Sequence, residues 1–310
     1  MEPPISPRPL IIQPKYTHQQ SIILLHGRGG SAAEFGPALL FHPINKTSTT
    51  FLNSNLKTLF PNAKFIFPTA PKRRAVAYDG SLISQWFDYW PLTTTATLEE
   101  YARLVADKSH LTVRGLNETS DFLHDVIREE AALVGSQNVV LGGLNQGGVA
   151  SIVAGLLWKD QEVGPLAGVF GICSWLPFAR TMEEASMSVD GEEDGSFHSL
   201  NYSLSSRAAR AIDSLRTALE LQPPTTSSTS ASSDHHRLTS PLALSAPFFL
   251  AHLADDEKIP LQYGREAAGC LRSMGLDVVW KEYEGMRHWN SEEMLRDLVE
   301  FLMGIIETES

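Results

Sequence analysis

The chain has 310 residues, 43% of them apolar, and a formal net charge of −11. That length and apolar fraction suffice for one large α/β domain, or two small ones, with a sizeable core. The acidic balance argues against nucleic acid or an anionic membrane as a partner.

In chain order, Met1 to Pro9 carries four prolines and no apolar core, which excludes a signal peptide. Residues 1–20 read as an N-terminal extension to a domain over 21–310. An apolar run over 21–25 reads as a buried strand ending at His26-Gly27-Arg28-Gly29-Gly30. A helix over 31–40 follows, then a strand over 64–67 closed by Pro68. The basic run Lys72-Arg73-Arg74 is too short for a nucleic-acid footprint and reads as a solvated loop. A helical pattern covers 97–133 with an interruption near Gly115. Its Glu99-Glu100 and Glu129-Glu130 pairs read as helix-surface charges.

A strand over 139–141 precedes a helix over 146–158, apolar on all sides and therefore buried. Its apolar stretch, 149–158, is too short to span a bilayer. A strand over 167–172 ends at Cys173-Ser174-Trp175-Leu176-Pro177. Strands over 247–252 and 277–281 alternate with helices over 261–274 and 291–306. Uninterrupted apolar strands between helices predict an α/β fold, a mostly parallel sheet with helices on both faces. Two cysteines in no metal-binding spacing fit a reducing, cytoplasmic setting. The pattern carries no information on oligomeric state.

Residues 181–246 break the alternation and read as a partly flexible insertion. Residues 183–194 are acidic and small, and 225–233 are a Ser/Thr run that cannot build a core. Between them Leu204, Ala208, Ala211, Ile212, Leu215 and Leu219 recur at helical spacing. A lid over a cleft is one reading. The general tolerance of loops favours a plain surface insertion.

The most informative stretch is Val139-Val140-Leu141-Gly142-Gly143-Leu144-Asn145-Gln146-Gly147-Gly148. It is a strand, a glycine-rich turn and a helix, the layout of a Gly-x-Ser-x-Gly nucleophile elbow. Here the frame is Gly143-x-Asn145-x-Gly147, with asparagine where the serine stands. The rest of a serine-hydrolase machine follows in the order acid, then histidine. Asp256, with Asp255 next to it, comes after one strand and His288 after the next. Oxyanion donors would be the backbone N–H groups of Gln146 and Arg28.

These pieces resemble the phospholipase/carboxylesterase family of α/β-hydrolases, which includes the acyl-protein thioesterases. The matching runs are Leu25-His26-Gly27-Arg28-Gly29, Pro68-Thr69-Ala70-Pro71, Gln85-Trp86-Phe87-Asp88, the elbow, Ser174-Trp175-Leu176-Pro177 and Tyr283-Glu284-Gly285-Met286-Arg287-His288. The resemblance implies an α/β-hydrolase fold and hydrolysis of carboxylic esters or acyl thioesters, on small molecules or acylated proteins, without cofactor or metal. It implies Asp256 and His288 as acid and base, and Arg28 and Gln146 as oxyanion donors. It implies an acyl groove bordered by Trp86, Phe87, Trp175 and Leu176. Two features depart from the family pattern: Asn145, and an acid loop reading His252-Leu253-Ala254-Asp255-Asp256 in place of His-Gly-Asp-x-Asp.

An amide nitrogen shares its lone pair with its carbonyl and is a very poor nucleophile, so Asn145 predicts little or no turnover. The alternative is a non-catalytic protein that binds an acyl group or a protein partner. An asparagine introduced into a working hydrolase is a third account. Another nucleophile is a fourth, with Ser151, Cys173 and Ser174 as candidates. Deamidation of Asn145 to a carboxylate belongs with it, and the bulk of the following Gln146 argues that this step is slow. His26 and His252 end buried strands and read as structural. His235-His236 lack a partner at metal-ligand spacing.

Overall fold

The computed structural model describes residues 6–44, 54–89, 108, 110–188, 197–221, 241–284 and 292–306. A seven-stranded sheet has the spatial order β1 (Leu10–Ile12), β3 (Ala63–Phe67), β2 (Gln20–Leu25), β6 (Val139–Leu144), β7 (Gly168–Ile172), β8 (Phe248–Leu253) and β9 (Val278–Tyr283). Every neighbouring pair is parallel except β1, which runs antiparallel on β3. A separate antiparallel hairpin joins β4 (Lys72–Ala75) to β5 (Ser81–Ser84).

The helices are α1 (Ala32–Leu40), α2 (Leu56–Leu59), α3 (His110–Val134), α4 (Gln146–Leu157), α5 (Ala179–Met187), α6 (Phe197–Ala218), α7 (Leu261–Ser273) and α8 (Glu292–Ile305). Side chains alternate across each strand, so the sheet feeds two cores. Ile22 and Leu24 of β2 pack with α1 and α8, whereas Ile23 and Leu25 pack with α3 and α4. Both faces are covered, which is why β2, β6, β7 and β8 are buried along their whole length and mostly apolar without alternation. The expected α/β architecture is present, and α4 is buried along its whole length.

Several local readings need correction. Within the N-terminal extension read over residues 1–20, β1 joins the sheet and pairs Leu10 with Phe67 and Ile12 with Phe65. Three residues are too few for a periodic signal. Lys72-Arg73-Arg74 lies in β4, and Arg73 pairs with Glu118 of α3. The helix α3 runs unbroken through Gly115. A β-carbon there would stand 2.5 Å from Phe87 Cα, so the glycine permits a close approach and marks no break.

Glu130 is no surface charge, being 5% exposed. It accepts 2.6 Å hydrogen bonds from Lys64 Nζ and Ser21 Oγ. The helix predicted in the insertion is α6. Ala208, Ala211, Ile212, Leu215 and Leu219 are buried and join the core on the α4 face. Leu204 is exposed but touches the turn at Gly275. The Ser/Thr run, His235-His236 and Glu99-Glu100 lie outside the described residues.

Candidate active site

The chain leaves β2 for β3 on one side and reaches β6 on the other, so β2 and β6 flank the point where the strand order reverses. Loops past the carboxyl ends of such strands diverge and open a crevice. The glycine loop after β2 and the elbow after β6 meet there, with Leu25 paired to Gly143.

Asn145 sits between β6 and α4 at φ 49°, ψ −117°. Asparagine tolerates positive φ better than most residues. The turn is tight because glycines let backbones nearly touch. A β-carbon on Gly147 would stand 2.4 Å from Leu25 O, and one on Gly143 would stand 2.7 Å from it. Asn145 N–H donates to Ile172 O at 2.8 Å, and Val149 N–H closes on Asn145 O at 3.0 Å. The carboxamide is anchored too: Nδ2 donates to Cys173 O at 3.0 Å. Its Oδ1 lies against Gly27, 3.4 Å from where a β-carbon there would stand. That contact puts the Gly27-Arg28 segment beside the elbow.

Gln146 is fully buried and its side chain is a brace. Its Oε1 accepts from Trp86 N–H at 3.0 Å, and its Nε2 donates to Phe87 O. Trp86 Nε1 donates to His26 O at 2.8 Å, and Thr119 Oγ1 donates to Trp86 O. The Trp86-Phe87 segment thus stitches the glycine loop, the elbow and α3 together. The hairpin adds a further tie, Gly29 N–H to Ser84 O at 2.7 Å. Neither this bracing nor the hairpin was foreseen from the sequence. A buried Gln directly after the elbow was the available signal.

Cys173 directly follows β7 with φ 48° and is buried. Burial first, then the Asp256 carboxylate beside it, push its thiol far above the ordinary range. An inert thiol at pH 7 makes a poor nucleophile. Ser174 Oγ donates to Asn145 O and Ile172 O, so it fixes the elbow backbone. Ser151 Oγ is turned back onto Gly147 O at 2.8 Å. Asn145, Cys173 and Asp256 are therefore contiguous, with Cys173 between the other two.

Asp256 is partly buried, and its Oδ1 accepts from Lys258 N–H at 2.8 Å and Ile259 N–H at 3.0 Å. Asp255 is exposed. His252 Nε2 donates to Ile259 O at 2.8 Å, which ties the Asp256 loop to β8. Burial pulls the His252 and His26 pKa values down from 6.5. The His26 ring is held at both nitrogens, Nδ1 donating to Gly27 O and Nε2 accepting from Ala70 N–H. Both rings are thus hydrogen-bonded to backbone of neighbouring loops. His288 lies outside the described residues.

The wall beside the elbow is aromatic. The Tyr89 ring lies 4.8 Å from Trp175, and Phe87 lies 6.0 Å from it. Arg28 stacks on Tyr89 at 3.6 Å and donates from Nη2 to Tyr89 O at 2.8 Å. Trp86, Phe87, Trp175 and Leu176 are all buried. Among the described residues no cluster of His, Cys, Asp and Glu could hold a metal ion. No described helix is long and apolar enough to cross a membrane.

The chain is 23% identical to acyl-protein thioesterase 1 of Gibberella zeae over 95% of this chain and 94% of that one. It is 27% identical to acyl-protein thioesterase 1 of Schizosaccharomyces pombe over 57% of this chain and 65% of that one. The crystal structure of Zea mays acyl-protein thioesterase 2 superposes with a TM-score of 0.60. That match has 20% identity and covers 96% of this chain and 98% of the other. Arabidopsis thaliana SOBER1 matches at 0.58 with 18% identity, over 92% and 98% of the two chains. A profile of the phospholipase/carboxylesterase family matches residues 7–194 and 209–306. The scaffold is that of a hydrolase, and the chain belongs to the phospholipase/carboxylesterase family of α/β-hydrolases.

Proposed function

We propose that the cleft past the ends of β2, β6, β7 and β8 receives an acyl ester or an acyl thioester, and that Asn145 leaves it with little or no hydrolysis. The observation that carries this reading is the Asn145 elbow. Its frame matches that of a working nucleophile turn, while its side chain is an amide tied to Cys173 O.

In this reading Asp256 orients His288, and His288 is a base with no hydroxyl to deprotonate. The Arg28 and Gln146 N–H groups receive the carbonyl oxygen. Trp86, Phe87, Trp175 and Leu176 border the acyl chain. No cofactor enters the chemistry. Hydrolases stripped of the nucleophile keep about 10³–10⁴-fold over water from the oxyanion hole and binding. The names of the fungal relatives favour a thioester on a protein as the substrate class. Two free, buried thiols accord with a reducing, cytoplasmic setting.

The test compares hydrolysis of p-nitrophenyl acetate and an acyl thioester by the native chain, Asn145→Ser and Asn145→Ser/His288→Ala. A silent native chain, an active single variant and a silent double variant are expected. An Asn145→Ser protein no faster than the native chain overturns the reading. The anchored carboxamide also favours a second reading, a non-catalytic acyl or protein binder. Retention of a non-hydrolysable acyl thioether by a native chain whose Asn145→Ser variant stays silent would favour the second reading over the first.

A further inference from the structure

We infer that the fold drives deamidation of Asn145 through a succinimide, so that this residue converts itself to a carboxylate. The tetrahedral geometry of Cα sets Cβ about 120° from the backbone nitrogen around the Cα–C axis. At ψ near about −120° the next residue's nitrogen therefore eclipses Cβ. Asn145 is held at ψ −117°. The Gln146 nitrogen thus already lies on the side-chain edge of Asn145, where a five-membered ring must close.

Ordinary asparagines avoid this backbone state, and a bulky following residue keeps flexible chains from reaching it. That is why Gln146 pointed to a slow step on sequence grounds. Here the turn imposes the conformation. It is fixed by Asn145 N–H on Ile172 O, Ser174 Oγ on Asn145 O, and the contacts of Gly143 and Gly147 with the backbone at Leu25. Gln146 is held by its own side chain to Trp86 and Phe87, so the attacking atom is fixed as well.

Gln146 stands first in α4, where no intrahelical carbonyl faces its N–H, and the positive helix end favours loss of that proton. Ring closure then needs rotation about Cα–Cβ, which gives up the hydrogen bond from Nδ2 to Cys173 O.

The step balances without an outside reagent other than water. The Gln146 nitrogen forms a bond to Asn145 Cγ. Its proton passes to the departing Nδ2, the Cγ–Nδ2 bond breaks, and ammonia leaves. Water then opens the ring to aspartate or isoaspartate. The product carries a carboxylate at the head of α4, whether or not the cleft hydrolyses esters.

The experiment incubates the freshly purified native chain at mildly alkaline pH, folded and in urea, and follows residue 145 by peptide mass spectrometry. Hydroxylamine is added to parallel samples to trap the ring as a hydroxamate. The expected result is conversion at 145 faster in the folded chain by a factor of about ten or more, the gain of a pre-set geometry, with hydroxamate at 145. Asn55 and Asn62 serve as internal references. A folded-state rate equal to or below that in urea overturns the proposal, as does conversion with no trapped hydroxamate. Both readouts are masses, so they stand apart from esterase activity.

Discussion

Glu130 sits where α3 crosses the start of the sheet, with Lys64 of β3 and Ser21 of β2 bonded to one carboxylate. His18 approaches the same group, 2.9 Å from Ser21 Oγ and 3.8 Å from Glu130 Oε2. Removing one partner of such a pair strands the other away from water. Glu130→Gln is expected to cost about 2–3 kcal/mol, read from the urea unfolding midpoint. Lys64→Met with Glu130→Leu should recover most of that loss. A Glu130→Gln protein as stable as the parent would show that the cluster is solvated. This residue was misread because Glu129-Glu130 looks like a pair of surface charges. Its burial depends on where the helix lies over the sheet, which spacing does not carry. Asn145 was legible because its glycine neighbours define the turn. Its backbone angle was not, and that angle changes the expected chemistry of the residue.

Among the elements, strands β2, β6, β7 and β8 were readable because both faces are buried and the runs are mostly apolar, with no alternation. The hairpin β4–β5 was not, because it is short, charged and partly exposed. It acts through backbone atoms, as in the tie from Gly29 to Ser84, and a backbone tie leaves no mark on side-chain pattern. The helix α6 was visible as an apolar stripe, but its depth in the core was not. It packs on α5, and Asn117 of α3 donates to Leu219 O at its end. Ala211 is fully buried. We expect Ala211→Asp to lower stability by about 3 kcal/mol or more, as an unpaired charge in a core does. A loss under about 0.5 kcal/mol in thermal or urea unfolding would mean that α6 lies loosely on the surface.

For the whole molecule, acid is the condition that should loosen the fold first. Burial lowers the pKa values of His26, His124 and His252 from 6.5. The ring of His26 must stay neutral to accept from Ala70 N–H. The unfolded chain takes up protons at about pH 6.5 that the folded chain refuses. The contribution of these rings is therefore full above that pH and shrinks as pH falls through it towards the lowered values. Each ring adds a slope approaching about 1.4 kcal/mol per pH unit in that window. Urea midpoints at stepped pH should fall from neutrality towards pH 5. A flat profile there would count against neutral buried rings.

The Glu130 cluster and the elbow lie at opposite ends of neighbouring parallel strands: Ser21 and Lys64 near the starts of β2 and β3, Asn145 just past the end of β6. Robustness is invested at one rim of the sheet and chemistry at the other. Changes at the functional rim then draw little on the reserve that keeps the chain folded. Such a division lets a lineage exchange its reactive side chain, or lose it, while the surrounding architecture drifts almost undisturbed.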